Sequence, residues 1–307
     1  MNDPESSGSD RDARSTRRAT LRRGGSLAVG AVAATTGCID RRRDAASEAR
    51  GERDASDPPL IAHRGFAAEN PENTVAAVEA AMSVVDRLEL DVRRCGTGEL
   101  VAFHDATLGR VTDATGRVEE TAYERLAELS VEGSGEPVPT LAEVLDAVPA
   151  HAWVMLDLKE RGLAADALAV AADRDHDLAV TADDPAVIEA VRAADPSVPT
   201  VYGVRESVPA RVLRPLIPGR VAATTVPRWA YPPQDAAGAV ETAVELGCAA
   251  VSPRYELCLR TNVVSRAANA GLRVLPWTVT SEREYEAVTG AGVDAVVSDV
   301  SRGLPVT

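Results

Sequence analysis

Four short runs of this chain gather residues able to handle metals and protons. They are Ile61-Ala62-His63-Arg64-Gly65, Pro71-Glu72-Asn73-Thr74, Leu88-Glu89-Leu90-Asp91-Val92 and Phe103-His104-Asp105. A fifth, Leu156-Asp157-Leu158-Lys159, carries the only lysine in the sequence. Carboxylates, a guanidinium, an ammonium and two imidazoles together are suited to holding a divalent cation and a phosphate while protons move. Glu89 and Asp91 are two residues apart in an apolar run. On a strand they share a face, about 6.5–7 Å apart at Cα, while Leu88, Leu90 and Val92 take the other. Two such carboxylates at the end of a buried strand repel each other unless a cation joins them. Asp157 and Lys159 repeat the arrangement, and Asp157 offers a third oxygen. Glu89, Asp91 and Asp157 are therefore the expected ligands of Mg2+ or Ca2+, with an ordinary network of strand-end salt bridges as the alternative. His63 and His104 each follow an apolar run and are the expected acid and base. Glu72 is expected to support the site. His151 and His176 lie among polar residues and read as surface histidines.

These residues need a frame. From Pro58 onward, strand-like and helix-like runs alternate. The strands are Leu60–His63, Leu88–Val92, Trp153–Leu158, Leu178–Thr181, Val198–Tyr202, Ala249–Ser252, Leu272–Val279 and Val293–Ser298. Asn70 can cap a helix with Pro71 at its first position, followed by Val75, Val78, Met82 and Val85 on one face. Thr140 to Glu143 and Ser281 to Glu284 read as capping boxes. Asp184-Pro185 starts another helix. Gly247 and Gly271 end two more, the first carrying Val240, Val244 and Leu246. Alternation of this kind implies a parallel sheet with helical crossovers, and eight units fit a (β/α)8 barrel. A doubly wound open sheet is the alternative. Residues 93–139 are long, polar and turn-rich, and read as an insertion after the second strand. Val221–Thr225 is a possible extra strand.

The formal net charge over 307 residues is −14, and hydrophobic residues make up 45%, enough for a sizeable core. Residues 1–37 hold six arginines and four acids, so the remainder is more acidic still. That balance argues against nucleic acid as a partner, because phosphate backbones need cationic contacts. Acid excess with almost no lysine also resembles proteins of high-salt surroundings. The N-terminus reads as an export signal: Thr16-Arg17-Arg18 resembles a twin-arginine motif, and the apolar run Ser26–Ala34 is too short to span a bilayer. Thr35-Thr36-Gly37-Cys38 resembles a lipoprotein cleavage box. The expected organisation is a signal peptide over 1–37, a tether over 38–57 and a domain over 58–307. The chain would then be lipid-anchored through Cys38 on the outer face of the cytoplasmic membrane. Cys95, Cys248 and Cys258 show no paired metal-ligand spacing. They read as buried apolar residues, with a Cys248–Cys258 bridge as the alternative.

The ordered motifs resemble the glycerophosphodiester phosphodiesterase family. They are HRG at 63–65, ENPENT at 69–74, ELDV at 89–92, FHD at 103–105, LGRVTDATG at 108–116, VPTLAEVL at 138–145, LDLK at 156–159, PWTV at 276–279 and GVDAVVSD at 292–299. The resemblance implies a (β/α)8 barrel with a small insertion after the second strand. It also implies metal-dependent hydrolysis of a glycerophosphodiester to sn-glycerol 3-phosphate and an alcohol. Carried onto this chain, it makes Glu89 and Asp91 a metal pair and His63 and His104 catalytic. Arg64 and Lys159 would hold the phosphate, and Trp277 would wall the glycerol. Asp157 stands where the family usually has glutamate. Thr280 and Thr181-Ala182 also depart from the family pattern, which bears on substrate preference. The alternatives are another phosphodiesterase on the same barrel, phospholipase D-like or phosphatidylinositol phospholipase C-like, and an anchored phosphate-binding protein without catalysis.

Overall fold

The computed structural model describes residues 57–205 and 233–306. The expected signal peptide, Cys38, most of the tether and the possible strand at Val221–Thr225 lie outside the described residues.

Among the described residues, eight parallel strands carry the fold: β1 (Leu60–His63), β2 (Arg87–Arg94), β4 (Trp153–Leu158), β5 (Asp177–Ala182), β6 (Thr200–Gly203), β7 (Ala250–Ser252), β8 (Arg273–Val274) and β9 (Val296–Ser298). The sheet runs β8-β7-β6-β5-β4-β2-β1-β9, with the short β3 (Leu100–Ala102) antiparallel on β2. Its two ends meet. Val297 N donates to Pro276 O at 2.9 Å, Val279 N to Val297 O at 3.0 Å, and Asp299 N to Val279 O at 3.1 Å. The result is a (β/α)8 barrel, as the alternation implied. The expected strand Leu272–Val279 is regular only over Arg273–Val274. Pro276 has no N–H to give a ladder, so the rest of the segment pairs through isolated bridges, such as Val279 with Ser298.

Period-two alternation sorts each strand between two cores. Leu88, Leu90 and Val92 of β2, with Val154, Leu156 and Leu158 of β4, join the large layer between sheet and helices. Ile61, Met155, Val201, Ala250, Leu275, Ala295 and Val297 fill the barrel interior. Glu89, Asp91 and Asp157 therefore point inward above that plug. The insertion has its own small core, including Val101, Phe103, Leu108, Val118, Leu126 and Val138.

The α-helices among the described residues are α1 (Val75–Met82), α2 (Tyr123–Leu126), α3 (Leu141–Asp146), α4 (Ala164–Ala172), α5 (Pro185–Ala194), α6 (Pro233–Glu245), α7 (Tyr255–Arg260), α8 (Val263–Asn269) and α9 (Glu282–Gly290). The capping box at Thr140 and Glu143 is complete, and Asp184 caps α5 with Pro185 in its first turn. Two expectations change. Helix α1 is capped by Thr74, whose Oγ1 accepts from Ala77 N, not by Asn70. Asn70 Nδ2 instead donates to Gly65 O at 2.8 Å, so residues 64–73 form a loop folded back on itself. In the second box, Ser281 caps α9, but the Glu284 carboxylate takes Thr280 N and Tyr255 Oη. Val244 is half exposed and lies off the core face of α6. Cys95, Cys248 and Cys258 are free and buried.

Candidate active site

The parallel register builds the site. His63 lies beside Glu89 across β1–β2, and Asp91 lies beside Asp157 across β2–β4. Lys159, two residues beyond Asp157, extends the same inward row. Oxygens of Glu89, Asp91 and Asp157 lie within 4.8 Å of one another. The cavity above them measures about 670 Å³ and is lined by His63, Arg64, His104, Asp157, Lys159 and Trp277, among others. Every residue expected at the site from the barrel strands therefore borders this one space or the carboxylate cluster beneath it.

Charge is unevenly shared in the cluster. Asp91 is fully buried and takes both cations: Arg64 Nε at 2.9 Å and Lys159 Nζ at 2.7 Å. Burial opposes its ionisation, but Lys159 and Arg64 outweigh that and hold Asp91 well below the usual carboxylate range. Lys159 also pairs with Asp157, and these anions hold its ammonium above its ordinary value despite burial. Glu89 gets little. Its Oε2 accepts from Arg64 N at 3.2 Å and faces His63 Nε2 at 3.8 Å. Burial first, then Asp91 and Asp157, push Glu89 well above the usual range. Asp91 Oδ1 accepts no well-directed hydrogen bond although Lys159 is close. Three carboxylates thus face two fixed cations, with Glu89 undercompensated. An all-oxygen donor set short of positive charge fits a hard divalent cation such as Mg2+ or Ca2+.

Each imidazole has its own carboxylate. His63 Nδ1 lies 2.6 Å from Asp299 Oδ1, and His104 Nδ1 lies 2.5 Å from Asp105 Oδ1. Such a bond sets which ring nitrogen carries the proton and leaves the other for chemistry. Burial pulls His104 below its ordinary value against the pull of Asp91. Glu72 does not touch the carboxylate cluster. It binds the Arg64 and Arg110 guanidiniums. Trp277 forms part of the cavity wall and is fixed by Nε1 donating to Ser252 O at 2.8 Å.

Four further residues hold the site's side chains through hydrogen bonds or ion pairs. Asn73 exchanges two hydrogen bonds with Asp91: Nδ2 donates to Asp91 Oδ2 at 2.8 Å, and Asp91 N donates to Asn73 Oδ1 at 3.1 Å. Its φ of 59° is tolerated better by asparagine than by most residues. Asp299 follows β9 as His63 ends β1, and only the β1–β9 pairing brings them together. Asp105 and Arg110 come from the insertion. Arg110 and Asp299 both stand in the motifs LGRVTDATG and GVDAVVSD, but neither motif showed which side chain each would meet. His151 is exposed, His176 Nε2 lies 3.0 Å from Val148 O, and neither histidine lines the cavity.

Known proteins resemble this chain in sequence and fold. The family model described as "Glycerophosphoryl diester phosphodiesterase family" matches residues 63–302. The chain is 38% identical over 96 residues to a glycerophosphodiester phosphodiesterase of Caldanaerobacter subterraneus subsp. tengcongensis, covering 29% of this chain and 40% of that protein. It is 36% identical over 107 residues to one of Bacillus altitudinis, covering 33% and 44%. The matches thus span less than half the length of either relative. A phosphodiesterase of Oleispira antarctica, solved with the product sn-glycerol-3-phosphate, superposes with a TM-score of 0.62 at 26% identity, covering 79% of this chain and 93% of that one. A glycerophosphodiester phosphodiesterase of Thermotoga maritima shares the fold, with a TM-score of 0.61 at 20% identity, covering 80% and 95%. With the family match running from the first site histidine past the last barrel strand, the chain belongs to the glycerophosphoryl diester phosphodiesterase family.

Proposed function

We propose that this chain hydrolyses glycerophosphodiesters to sn-glycerol 3-phosphate and an alcohol, with Glu89, Asp91 and Asp157 holding a divalent cation. The observation that carries this reading is the undercompensated carboxylate cluster flanked by two histidines, each tied to its own aspartate. The bound cation would supply positive charge against the phosphate oxygens. Arg64 and Lys159 add to it. Arg64 spends Nε on Asp91 and Nη1 on Glu72, and Lys159 pairs with Asp91 and Asp157, which leaves each of them donors for a phosphate. Charge stabilisation of this kind is a main lever of phosphoryl transfer.

His63 and His104 divide the proton transfers. With Nδ1 tied to a carboxylate, each ring keeps Nε2 for the reaction. One takes the proton of the attacking hydroxyl or water; the other returns one to the leaving alkoxide. Trp277 walls the glycerol end of the cavity. The relative from Oleispira antarctica, with its bound glycerol phosphate, supports this choice of substrate class. The test is turnover of glycerophosphocholine followed by phosphorus NMR. Glycerol 3-phosphate and choline are expected. Phosphocholine or a phosphatidic acid-type product from another diester would assign the chain to a different phosphodiesterase, and tight phosphate binding without turnover would make it a binding protein.

We also propose that Cys38 is lipidated after export, which would tether the domain outside the cytoplasmic membrane. The twin-arginine run and the small-residue cysteine box support this.

A further inference from the structure

A chain of ion pairs runs from Arg64 to His104, and the proposed chemistry does not account for its centre. Arg64 Nη1 donates to both oxygens of Glu72, at 3.3 and 3.2 Å. Arg110 reaches the same carboxylate, Nη1 to Oε2 at 2.8 Å and Nη2 to Oε1 at 2.5 Å. Its remaining nitrogen, Nε, donates to Asp105 Oδ2 at 2.6 Å. The other oxygen of Asp105 holds His104 Nδ1 at 2.5 Å.

All three guanidinium nitrogens of Arg110 are therefore committed to two carboxylates. Its side chain is 43% exposed, whereas Glu72 is 5% exposed. A surface cation that turns its whole fork onto a buried anion differs from a loose surface pair, which contributes little. Arg110 sits on a short turn, Leu108–Arg110, held by buried Leu108 in the insertion's core. Glu72 belongs to the loop before α1. The insertion is thus fastened to the barrel through the same arginine that holds the carboxylate partner of His104.

We propose that Arg110 is a positioning residue for His104, acting through Asp105. It fixes one oxygen of Asp105 so that the other accepts the Nδ1 proton, which leaves Nε2 turned to the cavity. Without Arg110, Asp105 is free to turn toward water, and the imidazole loses both its fixed plane and its fixed tautomer. A displacement of about 1 Å at a reacting group is enough to cost on the order of 10²-fold in rate. The proposal rests on the reading of His104 as an acid or base. The competing role is structural: Arg110 merely staples the insertion down.

A double-mutant cycle in kcat on the metal-loaded full chain, with glycerophosphocholine as substrate, tests the coupling of Arg110 to His104, and Asp105→Asn, which leaves the Arg110–Glu72 staple in place, separates the two roles. Arg110→Met is expected to lower kcat roughly 10–100-fold when His104 is present. In a His104→Ala background it should lower kcat by less than about 2-fold further. Equal losses in both backgrounds would overturn the proposal, since Arg110 would then act independently of His104. Asp105→Asn cuts the same link without touching the insertion's core and is expected to give the same cycle; it decides alone if Arg110→Met fails to fold. An undiminished kcat in His104→Ala by itself would remove the acid–base reading, an outcome separate from a failed cycle.

Discussion

Glu89 and Asp91 share one strand face, but their electrostatics run in opposite directions. Asp91 is stabilised as an anion by Arg64 and Lys159, whereas Glu89 is buried beside other anions. Metal-free protein should report this in its stability. A carboxyl raised in the folded state favours the protonated form there. Wild type therefore loses stability as pH climbs above the unfolded value of about 4.3 toward the raised one. Glu89→Gln removes that loss, so in EDTA at neutral pH its Tm should exceed wild type, and the difference should close below about pH 4. Asp91 has the reverse sign: its contribution is present above its unfolded value of about 3.9 and is lost in acid. Asp91→Asn should therefore lower stability at neutral pH, because it removes the anion that Arg64 and Lys159 share and leaves each with one carboxylate partner. Calorimetry against pH checks both signs; a destabilised Glu89→Gln in EDTA would contradict the charge pattern. The histidines act on rate instead. His63→Ala or His104→Ala should lower kcat by roughly 10²–10⁴-fold. Exposed His151→Ala and remote His176→Ala should stay near wild type, measured by steady-state kinetics.

Elements decide which of these residues meet. The loop from Arg64 to Asn73 is the example. It carries positive φ at Arg64, Gly65, Phe66 and Asn73, and Asn73 N returns to Arg64 O at 3.0 Å. A Cβ on Gly65 would lie 2.8 Å from the backbone of Ala77, so this tight turn requires glycine. The loop delivers Asn73 to Asp91. Asn73→Ala removes both hydrogen bonds that orient Asp91 and should weaken divalent-cation binding roughly 10–100-fold, read by calorimetric titration. An unchanged affinity would mean that Arg64 and Lys159 orient Asp91 without it. This loop also marks a limit of legibility. All eight parallel strands could be read from apolar runs, because burial on both faces leaves a strong signal. Glu89, Asp91 and Asp157 could be placed on one face by period alone. Pro71, however, looked like a helix start, since proline fits a first turn whether or not a helix follows. Only the return of Asn70 and Asn73 to the strand end makes it a loop. The contacts of Asp299 and Arg110, though not their motifs, were hidden for a related reason. Their partners lie 236 and 38 residues away in sequence, and only barrel closure and the folded insertion bring them together.

At the scale of the whole molecule, charge and anchoring set the context. The chain carries a net −14, while the cavity collects Arg64, Lys159 and the bound cation expected there. With the proposed cation bound, the cavity is expected to be locally positive within a chain of net negative charge, which would favour small phosphodiesters over polyanions. The proposed lipid on Cys38 belongs to this scale. Wild type should fractionate with membranes, and Cys38→Ser should move to the soluble fraction; identical partitioning of the two would refute the anchor. No helix among the described residues is long and apolar enough to cross a membrane. The proposed divalent cation on Glu89, Asp91 and Asp157 is what would make the cavity a phosphodiesterase. The most direct test is the rate of glycerophosphocholine hydrolysis in protein stripped with EDTA and then titrated with Mg2+ or Ca2+. The expected result is no turnover after stripping, release of glycerol 3-phosphate on restoring a cation, and no restoration in folded Glu89→Gln. Full activity in exhaustively chelated wild type would contradict the account.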